Sequence, residues 1–150
     1  MTVKKQAKIF MLDVTNRDGV QTSRICLSKL QKTLINIMLN KMGVAQSEFG
    51  FPVTRHEINY LNANLELARM GALSPMRLSG WIRATTGDVK TAFKNLPGIK
   101  YLNLSISTSD QMIANKFKGK LDRQSIIAEM TEATQLALSS GAQAIGVNAE

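Results

Sequence analysis

Short runs of β-forming residues alternate with longer segments of helical periodicity along almost the whole chain. Two parallel strands need a connection of a dozen or more residues, which is usually a helix. This alternation is therefore typical of repeated strand–helix units around a parallel sheet. The predicted strands cover residues 9–12, 44–50, 76–83, 101–107 and 144–149. The sequence thus predicts an α/β fold with about four complete units and a fifth strand.

Each of the four predicted helices begins at a side chain that can accept a hydrogen bond from the first helical turn. These side chains are Ser28, Thr54, Thr85 and Asp122. Gln31 and Glu57 complete predicted capping boxes with the first two. Four apolar residues of the first helix share one face, namely Leu30, Leu34, Ile37 and Met38. Glycines are predicted to end three of the helices, at positions Gly43, Gly71 and Gly141.

Two architectures fit this pattern: an open doubly wound sheet, or just over half of an eight-stranded barrel. An open sheet that binds a nucleotide usually carries Gly-x-Gly-x-x-Gly after its first strand. Here residues 15–21 read Thr-Asn-Arg-Asp-Gly-Val-Gln instead. This wording argues against nucleotide binding, but the pattern alone leaves both architectures open.

The 150 residues carry a formal net charge of +8 at neutral pH, with a pI near 9.9. Clustered lysines and arginines would favour nucleic acid, because they release counterions from phosphates. In this chain the basic residues are scattered and carry little aromatic interleaving, so we expect no nucleic-acid binding. A basic nucleic-acid-binding protein is kept as a rival hypothesis. A basic surface would equally suit a substrate that bears phosphates and carboxylates.

The hydropathy and the cysteine content of the sequence both bear on the cellular location of the protein. No apolar run approaches the roughly 20 residues that span a bilayer, so we expect no membrane insertion. The single cysteine, Cys26, cannot form an internal disulfide and fits a reducing compartment. A cytoplasmic location is therefore predicted.

Polar side chains of functional types stand at the ends of the predicted strands or directly after them. In parallel α/β folds the carboxyl ends of the strands form the site, so we expect these side chains to share one rim. They are Arg17, Asp18, Gln21, Glu48, Arg83, Ser107, Thr108, Ser109, Asn148 and Glu150. Carboxylates there can hold a hard divalent cation, and an arginine can stabilise an oxyanion. Each residue also has a structural reading, as a turn residue or as an ion-pair partner.

Several stretches resemble one enzyme family in order and spacing. Residues 17–21 read Arg-Asp-Gly-Val-Gln, and residues 48–52 read Glu-Phe-Gly-Phe-Pro. The likeness continues through residues 82–84, 106–110 and 146–150. The chain resembles the metal-dependent acyltransferases and lyases typified by isopropylmalate synthase, homocitrate synthase and hydroxymethylglutaryl-CoA lyase. Its wording is most similar to homocitrate synthase-like proteins and to (Re)-type citrate synthases.

This resemblance implies a (β/α)₈ TIM barrel, of which residues 1–150 would be the N-terminal half of the catalytic domain. It implies the condensation of acetyl-CoA with a 2-oxo acid, assisted by a divalent metal (Mg, Mn or Zn). A lyase that breaks a carbon–carbon bond, and a half-barrel without catalytic activity, are the alternatives. The expected partner is the C-terminal half of the barrel, from the same gene or as a second subunit. A homo-oligomer is also expected.

Roles are carried over by resemblance, position by position. Asp18 matches a metal ligand, with Glu48 as an acid behind it. Arg17 matches the cation that polarises the substrate carbonyl, and Glu150 matches a catalytic carboxylate. Four further residues are expected to bind substrate: Gln21, Arg83, Ser107 and Thr108.

The chain also departs from the family wording. Asn16 and Val20 replace the residues more frequent in the Leu-Arg-Asp-Gly-Glu-Gln stretch. Gly146 stands where lysine-pathway homocitrate synthases place a substrate-binding arginine, which argues against 2-oxoglutarate as substrate. The family completes its metal site with a His-x-His pair, and the single histidine, His56, falls on a predicted helix. That pair is therefore expected from the C-terminal half.

Overall fold

A computed structural model describes residues 9–150. It contains one sheet of five parallel strands, in the spatial order in which they occur along the chain. The strands are β1 (Leu12–Asp13), β2 (Gln46–Gly50), β3 (Arg77–Arg83), β4 (Tyr101–Ile106) and β5 (Ala144–Ala149). A doubly wound sheet would reverse its strand order at a switch point, and this sheet does not. The expectation of the N-terminal part of a (β/α)₈ barrel is therefore confirmed.

Five α-helices connect or follow the strands within the described residues. They are α1 (Lys29–Lys41), α2 (Ile58–Arg69), α3 (Thr86–Asn95), α4 (Asp110–Asn115) and α5 (Arg123–Ser139). The capping box predicted at Ser28 is confirmed, because its hydroxyl accepts from the Gln31 amide and the Gln31 side chain accepts from the Ser28 amide. Thr85 and Asp122 cap α3 and α5 as predicted. The predicted helix-ending glycines all have positive φ.

The hydrophobic core lies between the sheet and its helices. Leu102, Leu104 and Ile106 of β4 are buried in this core, together with Leu61 from α2 and Val89 from α3. Successive side chains of a strand point to opposite faces, so the residues between them lie on the other, concave face of the sheet. Those residues, Asn103 and Ser105, are polar, and Nδ2 of Asn103 donates to Glu48 of β2 and Ser79 of β3 on this face. The fold thus separates an apolar helix side from a polar concave side.

Four local expectations needed correction. Strand one covers Leu12–Asp13 rather than residues 9–12, because it pairs only with residues 46 and 47 of β2 at the edge of the sheet. The helix predicted from Thr54 begins at Ile58, after a 3₁₀ turn at Arg55–Glu57, and the Thr54 side chain makes no capping bond. A short helix, α4, occupies Asp110–Asn115, where no helix was predicted between the fourth strand and the helix that starts at Asp122.

The fourth correction concerns the orientation of α1. Three of the four residues on its predicted apolar face, Leu30, Leu34 and Met38, are 68%, 46% and 52% exposed, while Ile37 packs against the core. The buried residues of this helix are instead Lys32 and Asn36. Lys32 forms an ion pair with Glu57 across the α1–α2 interface, which explains why Glu57 is not available for the predicted capping box.

Candidate functional site

The turn after β1 is anchored to α1 by a buried asparagine. The amides of Arg17, Asp18 and Gly19 all donate to the carbonyl of Val14, which closes the turn tightly. Asn16 is fully buried, and its Nδ2 donates to the carbonyl of Lys32 and to Oδ1 of Asn36, at 2.8 and 2.9 Å. An asparagine in place of the more frequent leucine is explained by these bonds, which connect the turn to buried polar groups of α1.

Arg17 is the centre of a small polar network on the concave side. Its Nε donates to Oε2 of Glu48 at 2.5 Å, and its Nη1 donates to Oδ1 of Asp18 at 2.9 Å. The guanidinium carbon lies 5.2 Å from the centroid of the Trp81 ring, a cation–π distance. The guanidinium is therefore held from three sides by residues of the loop, β2 and β3.

Glu48 is buried and held at both carboxylate oxygens. It is 1% exposed, and its Oε1 accepts a hydrogen bond of 2.6 Å from Nδ2 of Asn103. Burying a carboxylate is costly unless its charge is paired and its oxygens are hydrogen-bonded. Arg17 supplies the opposite charge and Asn103 supplies the second donor. Both oxygens of this carboxylate are therefore engaged by neighbouring side chains.

Asp18 offers a hard oxygen ligand at the same place. Its side chain is 60% exposed, and one of its two oxygens is engaged by Arg17. Within residues 9–150, no group of three or more His, Cys, Asp or Glu side chains could hold a metal ion. The donor set present therefore fits one part of a divalent-metal site, with an oxygen of the type that Mg²⁺ or Mn²⁺ prefers. Its role as a ligand remains a prediction.

The ends of β4 and β5 bring together a second set of predicted site residues. The Thr108 amide and hydroxyl both donate to the carbonyl oxygen of Glu150. Ser107 is fully buried, and its hydroxyl accepts from Nζ of Lys116 at 2.8 Å. The Glu150 side chain is exposed. These contacts place Ser107, Thr108 and Glu150 at one end of the sheet.

Two other predicted residues lie apart from both sets. Arg83 forms a bidentate ion pair with Asp88, with contacts of 2.8 and 2.7 Å. Hydrogen bonding to Asp88 raises the pKa of the Arg83 guanidinium above its ordinary value. Gln21 is exposed at the end of a 3₁₀ turn, Gly19–Gln21. Among the described residues, no hydrogen bond joins either side chain to Arg17 or Glu150, so their substrate-binding roles remain predictions.

Sequence reasoning missed three contributors to this face. No site role was predicted for Asn103, Lys116 or Trp81. For Asn103 a signal existed, because polar residues at positions 103, 105 and 107 alternate with apolar ones at 102, 104 and 106. That period of two marks a strand with one polar face.

These features occur in a chain whose residues 8–149 match the sequence profile of the HMGL-like family. The chain belongs to the HMGL-like family. The family resemblance read from the motifs is therefore confirmed. Within residues 9–150, no helix is long and apolar enough to cross a membrane.

The chain is similar in sequence to several curated synthases. The chain is 60% identical over 143 residues to a citrate (Re)-synthase of Dehalococcoides mccartyi (strain CBDB1), covering 95% of this chain and 34% of the relative. It is 33% identical to 2-isopropylmalate synthase 2 of Caldanaerobacter subterraneus subsp. tengcongensis, covering 100% and 37%. It is 30% identical to the homocitrate synthase subunit alpha of Clostridium pasteurianum, covering 73% and 39%. The chain thus spans little more than a third of these relatives.

A solved structure supports the fold. The HMG-CoA lyase of Bacillus subtilis superposes with a TM-score of 0.65 at 16% identity, covering 93% of this chain and 45% of the lyase. At this level of identity the likeness concerns the fold alone. The HMGL-like chain therefore shares its strand–helix arrangement with part of that protein.

Proposed function

We propose that this chain forms part of an enzyme that condenses acetyl-CoA with oxaloacetate to give citrate, in the manner named by its citrate (Re)-synthase relative. The observation that carries the proposal is the arrangement of Arg17, Glu48 and Asp18 on the concave face. It places a fixed guanidinium and an exposed carboxylate side by side, which suits a reaction that develops negative charge on a carbonyl oxygen.

The reaction consists of one carbon–carbon bond formation and one hydrolysis. A base takes a proton from the methyl group of acetyl-CoA, and the resulting enolate carbon attacks the ketone carbon of oxaloacetate. The ketone oxygen takes up the electron pair and then a proton, becoming the hydroxyl of the product. Hydrolysis of the thioester then releases free CoA and a carboxylate.

Arg17 is proposed to stabilise the charge on the ketone oxygen. A guanidinium has five N–H donors, and Glu48 and Asp18 use two of them. The remaining donors have no acceptor among residues 9–150 and are available to a ligand. Because Glu48 and the Trp81 ring hold the guanidinium in place, little reorganisation is needed when the charge forms.

Asp18 is proposed to contribute one ligand to a divalent metal, Mg, Mn or Zn. Such a metal would supply a Lewis acid that lowers the free energy of the negatively charged ketone oxygen. Its other protein ligands would come from outside residues 9–150. Glu150 is proposed as a catalytic carboxylate, while Gln21, Arg83, Ser107 and Thr108 are proposed to bind substrate; these roles rest on the family resemblance.

The remainder of the barrel is the proposed partner. Apolar side chains are exposed at both edges of the described sheet: Met11 precedes β1, and Val147 lies on β5. Closing a barrel removes such edges. We use "completed protein" for this chain joined to, or assembled with, the segment that supplies the other strands. A cytoplasmic location and a homo-oligomeric assembly are part of the same proposal.

The test is release of free CoA by the completed protein, with oxaloacetate, 2-oxoglutarate and 2-oxoisovalerate as competing acceptors and with each divalent metal. We expect oxaloacetate to be preferred by at least about tenfold in kcat/KM, because 2-oxoglutarate is longer by one methylene and 2-oxoisovalerate lacks the second carboxylate. A preference for either other acceptor, or no metal-dependent CoA release with any of them, would contradict the proposal.

A further inference from the structure

Strand β5 carries a glycine at a point where the neighbouring strand needs space. Gly146 lies directly beside Asn103 of β4 in the parallel register. A Cβ atom built on Gly146 would collide with Oδ1 of Asn103 and would lie 3.2 Å from its Cγ. Gly146 has an ordinary strand conformation, so the requirement for glycine here is one of space.

The side chain that fills this space makes one strong contact. Asn103 is 6% exposed, and its Nδ2 donates to Oε1 of Glu48 at 2.6 Å. The other oxygen of Glu48 accepts from Nε of Arg17. Displacing Asn103 would therefore remove the donor to Oε1 of this buried carboxylate, and we expect Glu48 and the guanidinium bonded to it to shift.

We propose that Gly146 and Asn103 form a positioning pair that sets the orientation of Arg17 through Glu48. The inference rests on the proposed function, in which Arg17 faces the reacting carbonyl. Neither member of the pair contacts Arg17 directly in the hydrogen-bond network; they act through the carboxylate between them.

The pair also limits which residues can stand at position 146. Any side chain there would project toward the space that Asn103 occupies. A larger residue at position 146 is therefore incompatible with the Asn103–Glu48 contact in its present geometry.

The first test reverses the donor and acceptor of the contact. In the completed protein, Asn103→Asp keeps the side-chain size but removes the donor and sets a second carboxylate against Glu48. We expect kcat to fall about 100-fold with KM changed less than about threefold, since misplacement without loss of ground-state binding has this signature. Combining it with Glu48→Gln restores a donor–acceptor pair. The amide nitrogen at position 48 can then donate to the carboxylate at position 103, while the amide oxygen at position 48 accepts from Arg17. The double variant is expected to exceed either single variant by about tenfold in kcat.

The second test asks whether Gly146 acts through Asn103. Gly146→Ala is expected to lower kcat in the wild-type background and to have almost no further effect when Asn103→Ala has already removed the side chain. Gly87→Ala is the matched control, because a Cβ on Gly87 meets nothing within 4 Å. Equal losses from Gly146→Ala in both backgrounds would overturn the proposed pair, and so would a loss from Gly87→Ala of the same size.

A readout without catalysis separates this inference from the proposed function. The Trp81 ring lies 5.2 Å from the Arg17 guanidinium, so its fluorescence reports where that group sits. We expect Asn103→Asp and Gly146→Ala to shift the Trp81 contribution, obtained by subtracting the spectrum of Trp81→Phe, and Gly87→Ala to leave it unchanged. If the wild type fails to release CoA with oxaloacetate, the proposed function is wrong while this shift still supports the positioning pair. An unchanged Trp81 contribution in both folded variants would overturn the pair, whatever the activity.

Discussion

The Nε atom of Arg17 donates a hydrogen bond to a carboxylate oxygen of Glu48, 2.5 Å away and 31 positions later in the chain. Glu48 is almost fully buried, and the Arg17 side chain is 17% exposed. The pair joins the turn after β1 to β2, and it leaves part of the guanidinium open to the concave face. Arg17 therefore has two roles: it neutralises the buried charge of Glu48, and it leaves N–H donors accessible from the concave face. A substitution that tests the second role must keep the positive charge.

The proposed metal ligand can be tested apart from turnover. Asp18→Asn in the completed protein should weaken binding of Mg²⁺, Mn²⁺ or Zn²⁺ by more than about tenfold, because a neutral amide replaces a charged oxygen ligand. The fold should persist, since Asp18 is 60% exposed on a turn. Calorimetric titration with each metal gives the affinities. Asp110→Asn, at another exposed carboxylate that pairs with an arginine, is the matched control. Unaltered affinity in Asp18→Asn would remove Asp18 from the metal site.

Stability should depend on the ion pair that orients α1. Nζ of Lys32 lies 2.5 Å from Oε1 of Glu57, with side chains 6% and 17% exposed. Lys32→Met leaves that carboxylate nearly buried without its partner, so we expect the free energy of unfolding to fall by about 3 kcal/mol. Arg69→Met, in the exposed pair with Glu66, is the control and should change it far less. Urea denaturation of the completed protein measures both. Equal effects would mean that the Lys32–Glu57 pair does not stabilise the α1–α2 interface.

Local patterns explain most of the fold. Hydrophobic periodicity and the caps at Ser28, Thr85 and Asp122 located the corresponding helices, because these signals depend on residues close together in the sequence. The orientation of α1 could not be predicted in this way. Its buried residues are polar, and their partners, such as Glu57 for Lys32, come from elements that lie further along the chain.

The candidate site shows the same division. Arg17, Asp18 and Glu48 were predicted because each follows or ends a strand, where parallel folds place their sites. The structure does bring these three together. Asn103 lies within a strand and contacts Glu48 across 55 positions, so only its place in the polar alternation of β4 hinted at a role. Gly146 was noted for the side chain it lacks, whereas its contact with Asn103 required the register of β4 and β5.

The exposed apolar surfaces predict how the isolated chain behaves. Leu34 and Met38 on α1 are 46% and 52% exposed, and Val147 on β5 is 57% exposed. Residues 1–150 expressed alone should self-associate and release no CoA, since within residues 9–150 neither edge of the sheet pairs with a further strand. Leu34→Glu combined with Met38→Glu should reduce the association, whereas Lys41→Glu on the same helix should not. Sedimentation velocity at micromolar concentration decides. A monodisperse monomer that turns over acetyl-CoA unaided would refute both the half-barrel and the proposed partner.

The most direct test of the account is the rate of CoA release by Arg17→Lys in the completed protein, with saturating oxaloacetate and metal. Lysine keeps the positive charge but cannot reproduce the planar fork that binds Glu48 and Asp18 and that is proposed to bind the substrate as well. Arg123→Lys, at an arginine that is 75% exposed and pairs with Asp110, is the matched control. We expect Arg17→Lys to lower kcat by at least about 100-fold, with an unchanged circular dichroism spectrum and with Arg123→Lys at the wild-type rate. A rate within a few-fold of wild type in a folded Arg17→Lys variant would contradict the claim that this guanidinium stabilises the reacting carbonyl.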